Sequence, residues 1–274
     1  MQLARSKSDL LLTAAMGPPA GLFEDPPGRD AHQYPIRPKT AREAQNGPTK
    51  RGRGLGTLTE VHVWSAGVDR PQYELAWFGR LLTPEERARA DRYRFAGARD
   101  RFVVRRALRR WVLARYLGAD PATIVFTAGT HGKPELADER DLRFSESESS
   151  GLALIAVARG AEVGVDVERV RPVNGAEQIV ERFGTPAERE AYERLGPEDR
   201  QRGFLRWWTA KEALVKALGS GLDDRLASLG LEPGWCRTEL RIGPHHIGCV
   251  VTEGHNAAVT RMLVDDDLQA EGAS

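Results

Sequence analysis

Cysteine, lysine and long apolar runs are scarce in this 274-residue chain, and each scarcity removes a class of protein. Two cysteines, Cys236 and Cys249, cannot build a metal site by themselves, and so few in a chain of this size point to a reducing compartment. No stretch approaches the roughly 18 apolar residues that a membrane span needs. Leu10 to Met16 is weakly apolar after Arg5 and Lys7, but Asp9 interrupts and the run is short for a signal peptide. A cytoplasmic protein with no membrane partner is expected. Lysine occurs only as Lys7, Lys39, Lys50, Lys133, Lys211 and Lys216, so within a formal net charge of +1 almost all positive charge is arginine. Three of these lysines fall in the two most informative short motifs, a hint that a compact ammonium is needed there.

The first 58 residues carry Pro18-Pro19, Pro26-Pro27, Pro35, Pro38, Pro48 and the basic Lys50-Arg51-Gly52-Arg53, with no periodic apolar face. They are expected to form a disordered extension. Two halves follow, 59–160 and 161–266, with a short tail at 267–274; this is enough chain for a proper core.

An internal echo sets the halves. Glu60-Val61-His62-Val63, an alternating strand, returns as Glu162-Val163-Gly164-Val165. Thr83-Pro84-Glu85-Glu86-Arg87 returns as Thr185-Pro186-Ala187-Glu188-Arg189, and Phe102, opening one long helix, returns as Phe204, opening another. All three pairs are 102 residues apart (162 − 60, 185 − 83, 204 − 102), which predicts a duplicated unit. Each copy reads as a strand, a short helix capped by Thr with Pro at its first position, a long helix, then strands. The expected fold class is α+β: two pseudo-symmetric halves with a ligand cleft between them. The duplication supplies the twin in cis, so a monomer is expected.

The second long helix holds the densest motif, Trp207 to Leu222, a good helix former stopped by Gly219 and Gly221. Trp207, Ala210, Leu214 and Leu218 make one apolar stripe, while Trp208, Glu212, Lys216 and Gly219 fall on another. A lone Glu-Lys pair of this kind is an exposed ion pair worth about 0.2–0.5 kcal/mol. In Gly164-Val165-Asp166-Val167-Glu168, strand alternation puts both acids on one face and both valines on the other. Adjacent carboxylates are either solvated at a strand end or share a cation. With Glu212 they make three hard oxygen ligands that leave positions for water and phosphate, an arrangement suited to magnesium. The first long helix carries Arg101, Arg105, Arg106, Arg109, Arg110 and Arg115, and at the 102 offset Arg110 stands where the second has Glu212. Those arginines are a solvated basic face or a cationic wall for a polyphosphate. A nucleic-acid binder would instead show steep salt dependence, and no nucleic-acid partner is expected.

Together, Gly164 to Glu168, Trp208 to Lys216 and Gly219 to Leu222 resemble the signature pair of the surfactin-type 4′-phosphopantetheinyl transferases, a likeness covering residues 59–265. The resemblance implies that coenzyme A lies between the halves and that a serine of an apo acyl or peptidyl carrier protein attacks its β-phosphate. Adenosine 3′,5′-bisphosphate then leaves. It implies Asp166, Glu168 and Glu212 as magnesium ligands, and Glu212 also as the base, directly or through a metal-bound water. Lys216 matches the lysine that contacts the phosphates and stabilises charge developing there. Arg101 matches an arginine on a coenzyme A phosphate, Gly132-Lys133-Pro134 a turn flanking the adenine, and Arg89 falls near basic residues for the ribose 3′-phosphate. Glu188 matches an acid that some members use near the metal, or is a helix cap like its echo Glu86.

One motif departs from the family pattern, Phe-Asn-hydrophobic-Ser-His-Ser. Here it reads Phe144-Ser145-Glu146-Ser147-Glu148-Ser149. Ser147 and Ser149 keep donor-binding positions, but Glu148 stands at the histidine that helps bind the 3′-phosphate and Glu146 replaces an apolar residue. An acid about 4 Å from a phosphate costs about 1–4 kcal/mol at effective dielectrics of 80 to 20. Donor binding is therefore expected to be impaired or altered unless nearby arginines neutralise Glu148. The alternative function is a catalytically impaired relative that binds a carrier protein or nucleotide. His245-His246 reads as core or edge packing, and Asp265-Asp266-Asp267 as a solvated tail.

Overall fold

The computed structural model describes residues 50–51, 58–139, 141–221, 229–230 and 233–265. Most of the extension expected to be disordered, the tail beyond Asp265 and Leu222 lie outside the described residues. Within that extension, Lys50–Arg51 (β1) pairs antiparallel with the start of β2 (Leu58–Gly67). Then come α1 (Gln72–Arg80), α2 (Pro84–Ala90), α3 (Ala96–Leu117), a small hairpin of β3 (Phe126–Ala128) and β4 (Pro134–Leu136), β5 (Leu142–Ser149) and β6 (Leu152–Arg159). The second half runs β7 (Val163–Arg169), α4 (Ala176–Phe183), α5 (Pro186–Glu193), α6 (Pro197–Leu218), β8 (Trp235–Leu240), β9 (His246–Glu253) and β10 (Asn256–Leu263).

The duplication is written in the helix signals. Thr83 and Thr185 each cap a short helix through a reciprocal capping box, with Glu86 and Glu188 returning a bond to the cap's backbone N–H. The long helices α3 and α6 have 22 residues each and end on left-handed Gly118 and Gly219. Between the short and long helices the offset slips from 102 to 101 (197 − 96, 218 − 117). The counterpart of Arg110 is therefore Lys211, not Glu212 as the uniform offset implied. Both are buried cations that hold the capping-box glutamate, Arg110 to Glu86 at 2.6 Å and Lys211 to Glu188 at 2.9 Å. Both also donate to backbone carbonyls beyond their helix, at Pro121 and Ile124 in one half and Leu229 in the other. Glu188 is thus committed to its cap and to Lys211.

The elements stack as helix, sheet, sheet, helix. One sheet has the order β10-β2-β6-β5 and the other β7-β9-β8. Alternation along β6 divides its side chains: Ala153, Ile155 and Val157 pack with Trp64, Leu108, Trp111 and Val112 under α3. Leu154, Ala156 and Ala158 meet Val163, Val165 and Val167 of β7 between the sheets. On the outer face of the second sheet, Ala213, Leu214 and Ala217 of α6 pack on Cys249 and Val251. Strand β10, from the end of the second half, pairs in parallel with β2 of the first. Asp265, expected to be solvated, pairs with Arg70 at 2.5 Å. Among the described residues no helix is long and apolar enough to cross a membrane.

Candidate active site

The site lies where α6 crosses β7, and Gly164 makes the crossing close. A Cβ there would collide with the Ala213 carbonyl and the Ala217 nitrogen of α6, so only glycine lets the helix backbone rest on the strand. Alternation then aims Asp166 and Glu168 under the helix while the valines fill the space between the sheets. Both acids are fully buried, and Glu212, reaching down from α6, nearly so. The apolar stripe proposed for this helix is not its most buried face. Leu218 is exposed, whereas Trp208 is buried with its ring stacked on Phe204, because α4 and α5 cover that side.

Lys216 comes down beside them, its Nζ 2.6 Å from Asp166 Oδ1 and 3.1 Å from Ser147 Oγ. Burial works against this ammonium, but the charges of Asp166 and then Glu212 raise its pKa nonetheless. The Glu168 carboxyl is pushed up to about 8, first by burial and then by the neighbouring Asp166 charge, with Glu212 adding to both. Asp166 Oδ2 and Glu168 Oε1 are buried with no hydrogen-bond partner. Among the described residues no three Asp, Glu, His or Cys groups are gathered closely enough to hold a metal ion as they stand.

The Ser-Glu-Ser-Glu-Ser run is a strand whose two faces do different jobs. Ser145, Ser147 and Ser149 face β7 and form the seam between the halves. Their hydroxyl oxygens accept from the Val165, Val167 and Arg169 N–H groups at 3.1, 3.3 and 3.1 Å. Ser147 and Ser149 also donate to Asp166 at 2.7 Å and Glu168 at 3.1 Å. Phe144, Glu146 and Glu148 face α3. There Arg109 grips Glu146 through two hydrogen bonds, one of 2.7 Å, and Arg105 lies 3.6 Å from Glu148, which also accepts from Gly151 N–H. One turn earlier Arg101 makes a two-pronged bridge to Asp69 at 2.6 and 3.0 Å. Four arginines of the wall, Arg101, Arg105, Arg109 and Arg110, are therefore paired with acids of their own half.

Burial alone would raise the Glu146 carboxyl, but Arg109, with Arg105 and Arg106, holds it down to about 2. Such a depressed acid contributes stability above the ordinary carboxylate value, and that stability is lost as pH falls toward 2. Replacing Glu146 by leucine strands Arg109, whose side chain is only 6% exposed, and is expected to cost about 3 kcal/mol in urea unfolding at pH 7. The double change Glu146→Leu with Arg109→Leu should recover most of it. The deficit of Glu146→Gln against the parent should shrink between about pH 4 and pH 2; a constant deficit would mean that the carboxylate charge is not what matters.

Lys133 ties the halves together. Its Nζ lies 3.3 Å from Glu162, 3.5 Å from the Val163 carbonyl and 3.4 Å from the Ala217 carbonyl near the end of α6. With Pro134, Arg143, Phe144 and Glu162 it walls a cleft of about 420 Å³. His131, in the left-handed region at φ 58°, brings the same turn against Gly221. Arg89, exposed on α2, stands over the Phe102 ring. Of the sequence-derived residues, Asp166, Glu168, Glu212, Lys216, Ser147 and Ser149 share one cluster. Arg101 and Glu148 lie together on the α3 side, Lys133 and Pro134 at the cleft, and Arg89 on α2. Gly164 and Asp69 were not singled out; the glycine had a signal, since a bare residue inside a strand marks close backbone approach.

Residues 162–246, which span β7 to the start of β9, match the family model described as the 4′-phosphopantetheinyl transferase superfamily. The chain is 35% identical over 209 residues to the 4′-phosphopantetheinyl transferase HetI of Nostoc sp., an alignment covering 71% of this chain and 88% of that protein. It is 26% identical over 196 residues to the 4′-phosphopantetheinyl transferase ffp of Bacillus subtilis, covering 70% and 85%. A likeness that takes in 88% of one relative, together with a family match whose segment contains the Asp166, Glu168, Glu212 and Lys216 cluster, places the chain in the 4′-phosphopantetheinyl transferase family.

Proposed function

We propose that this chain transfers the 4′-phosphopantetheine arm of coenzyme A to a serine of an apo acyl or peptidyl carrier protein, with magnesium bound, releasing adenosine 3′,5′-bisphosphate. The observation that carries the reading is the set of buried acids Asp166, Glu168 and Glu212 with half-buried Lys216 beside them, built on two crossing elements. Two carboxylate oxygens, Asp166 Oδ2 and Glu168 Oε1, are buried without a hydrogen bond, a costly state that a hard cation relieves. The donor set fits magnesium in chemistry, with Asp166, Glu168 and Glu212 as the residues that would hold it. Bound there, it would polarise the donor's phosphate oxygens and offset their charge.

The chain's own residues account for the rest. Lys216 stabilises the charge that develops as the diphosphate is cleaved, since its ammonium stays protonated beside the acids. Glu212 accepts the proton of the attacking serine, directly or through a water. The serine oxygen forms a bond to the β-phosphorus, the bond from that phosphorus to the bridging oxygen breaks, and the nucleotide leaves with that oxygen. Ser147 and Ser149 hold Asp166 and Glu168 in place across the seam. Lys133 and Pro134 line the cleft offered to the adenine. The impaired-relative alternative rested on Glu146 and Glu148, and the arginine opposite each of them favours the active enzyme. We also read the protein as a cytoplasmic monomer that acts on no nucleic acid or membrane.

Intact-mass analysis of an apo carrier protein incubated with the chain, coenzyme A and magnesium tests the reading. A phosphopantetheine mass gain is expected, and it should vanish with Glu212→Gln. No gain at high coenzyme A with several carriers would overturn it.

A further inference from the structure

Two histidines lead into β9, and the second of them reaches the other half. His245 is exposed, whereas the half-buried His246 turns its ring across the seam, where Nε2 lies 3.3 Å from the Ser149 carbonyl. A carbonyl only accepts, so Nε2 carries the hydrogen. Nδ1 is then the bare nitrogen, and it is buried with no hydrogen-bond partner. Burial lowers the pKa of the ring; the bond to Ser149 works against this, while Arg169 and His245 add to it. The side chain is therefore uncharged at neutral pH, and what it supplies is the bond from Nε2. A leucine here would avoid the orphaned nitrogen and its cost.

Ser149 is the last of the seam serines, at a turn where Ser150 and Gly151 take left-handed φ values of 46° and 87°. The Ser147 hydroxyl is held by the Val167 N–H, by Lys216 and by Asp166. The Ser149 hydroxyl has fewer ties: it accepts from the Arg169 N–H and donates to Glu168 Oε2, both at 3.1 Å. That donation is the single hydrogen bond of the Glu168 carboxylate among the described residues, since Oε1 has none. The orientation of a buried acid thus hangs on one hydroxyl at the end of a strand. The backbone of that same residue is what His246 grips.

We propose that His246 is a positioning residue: its bond to the Ser149 carbonyl fixes the hydroxyl that aims Glu168, and so sets how tightly the buried acids take up a divalent cation. The proposal rests on the metal reading above and deepens it. Because the bond runs from β9 of one half to the end of β5 of the other, the aim of Glu168 also depends on how the halves dock.

Calorimetric titration of magnesium chloride into the full chain tests this without turnover. Ser149→Ala removes the hydroxyl itself and should raise the dissociation constant about tenfold, the low end for a partner of a metal ligand. His246→Leu acts one bond further out and should raise it about fivefold. The side-chain amide of His246→Gln can donate to the same carbonyl and should keep the constant within about twofold of the parent. Because His246 works through the hydroxyl, the double variant should bind no more weakly than Ser149→Ala alone. Binding by His246→Leu as tight as the parent's would overturn the proposal, whatever the variant does to stability in urea. So would losses that multiply in the double variant. A parent that takes up no magnesium would overturn the metal reading itself, and the positioning role with it.

Discussion

Asp166→Asn is expected to lower kcat/KM for carrier loading at least a thousandfold, about 4 kcal/mol of transition-state stabilisation. The side chain sits at the centre of the cluster, with one oxygen shared by Lys216 and Ser147 and the other unpartnered. The amide keeps the shape and removes the charge. Lys216 then loses the carboxylate that orients it, and Glu168 loses the neighbour that, after burial, does most to keep it protonated. A magnesium-binding role and a purely structural one can be separated without any turnover. If magnesium binds at this cluster, ten times its dissociation constant stabilises the parent by about 1.4 kcal/mol, a rise of about 3 °C in melting temperature for a protein of this size. The variant should show less than a third of that rise. An equal rise in both would place the ion elsewhere.

Gly164→Ala is expected to be the most damaging single methyl in the protein. The added carbon would meet backbone, the Ala213 carbonyl and the Ala217 nitrogen, rather than a side chain that could swing aside. Strand or helix must move, and the helix carries Glu212 and Lys216 with it. Overpacking a rigid site costs about 1–3 kcal/mol and occasionally more; backbone on both sides argues for the upper end, so about 4 kcal/mol is expected in urea unfolding. Loading should fall together with stability. A variant as stable as the parent would show that α6 has slack over β7.

Much of this was legible in the chain because alternation and capping are local. Thr83 and Thr185 announced their helices, and the period of two put Asp166 and Glu168 on one face. The partners of the acids in Ser-Glu-Ser-Glu-Ser could not be named from the chain because they lie far off in sequence: Arg105 and Arg109 reach β5 from α3, about forty residues earlier. A uniform repeat also aligned Arg110 with Glu212, whereas the one-residue slip before α6 exchanges it for Lys211. No periodicity could reveal that slip. It follows from two buried cations finding equivalent glutamates, a matter of tertiary pairing.

Strand β10 joins β2 in parallel over Asn256 to Leu263, matched with Leu58 to Ser65. Strand β2 therefore completes its edge with a strand that begins 198 residues further along the chain (256 − 58). During synthesis β2 must wait, its backbone donors and acceptors open along one side, until β10 has followed. Loop closure over that distance is slow, and an open edge is sticky meanwhile. A chain cut between its twin halves would leave the first with that edge permanently exposed. The duplicated halves are consequently expected to fold as one unit, with a single transition in urea.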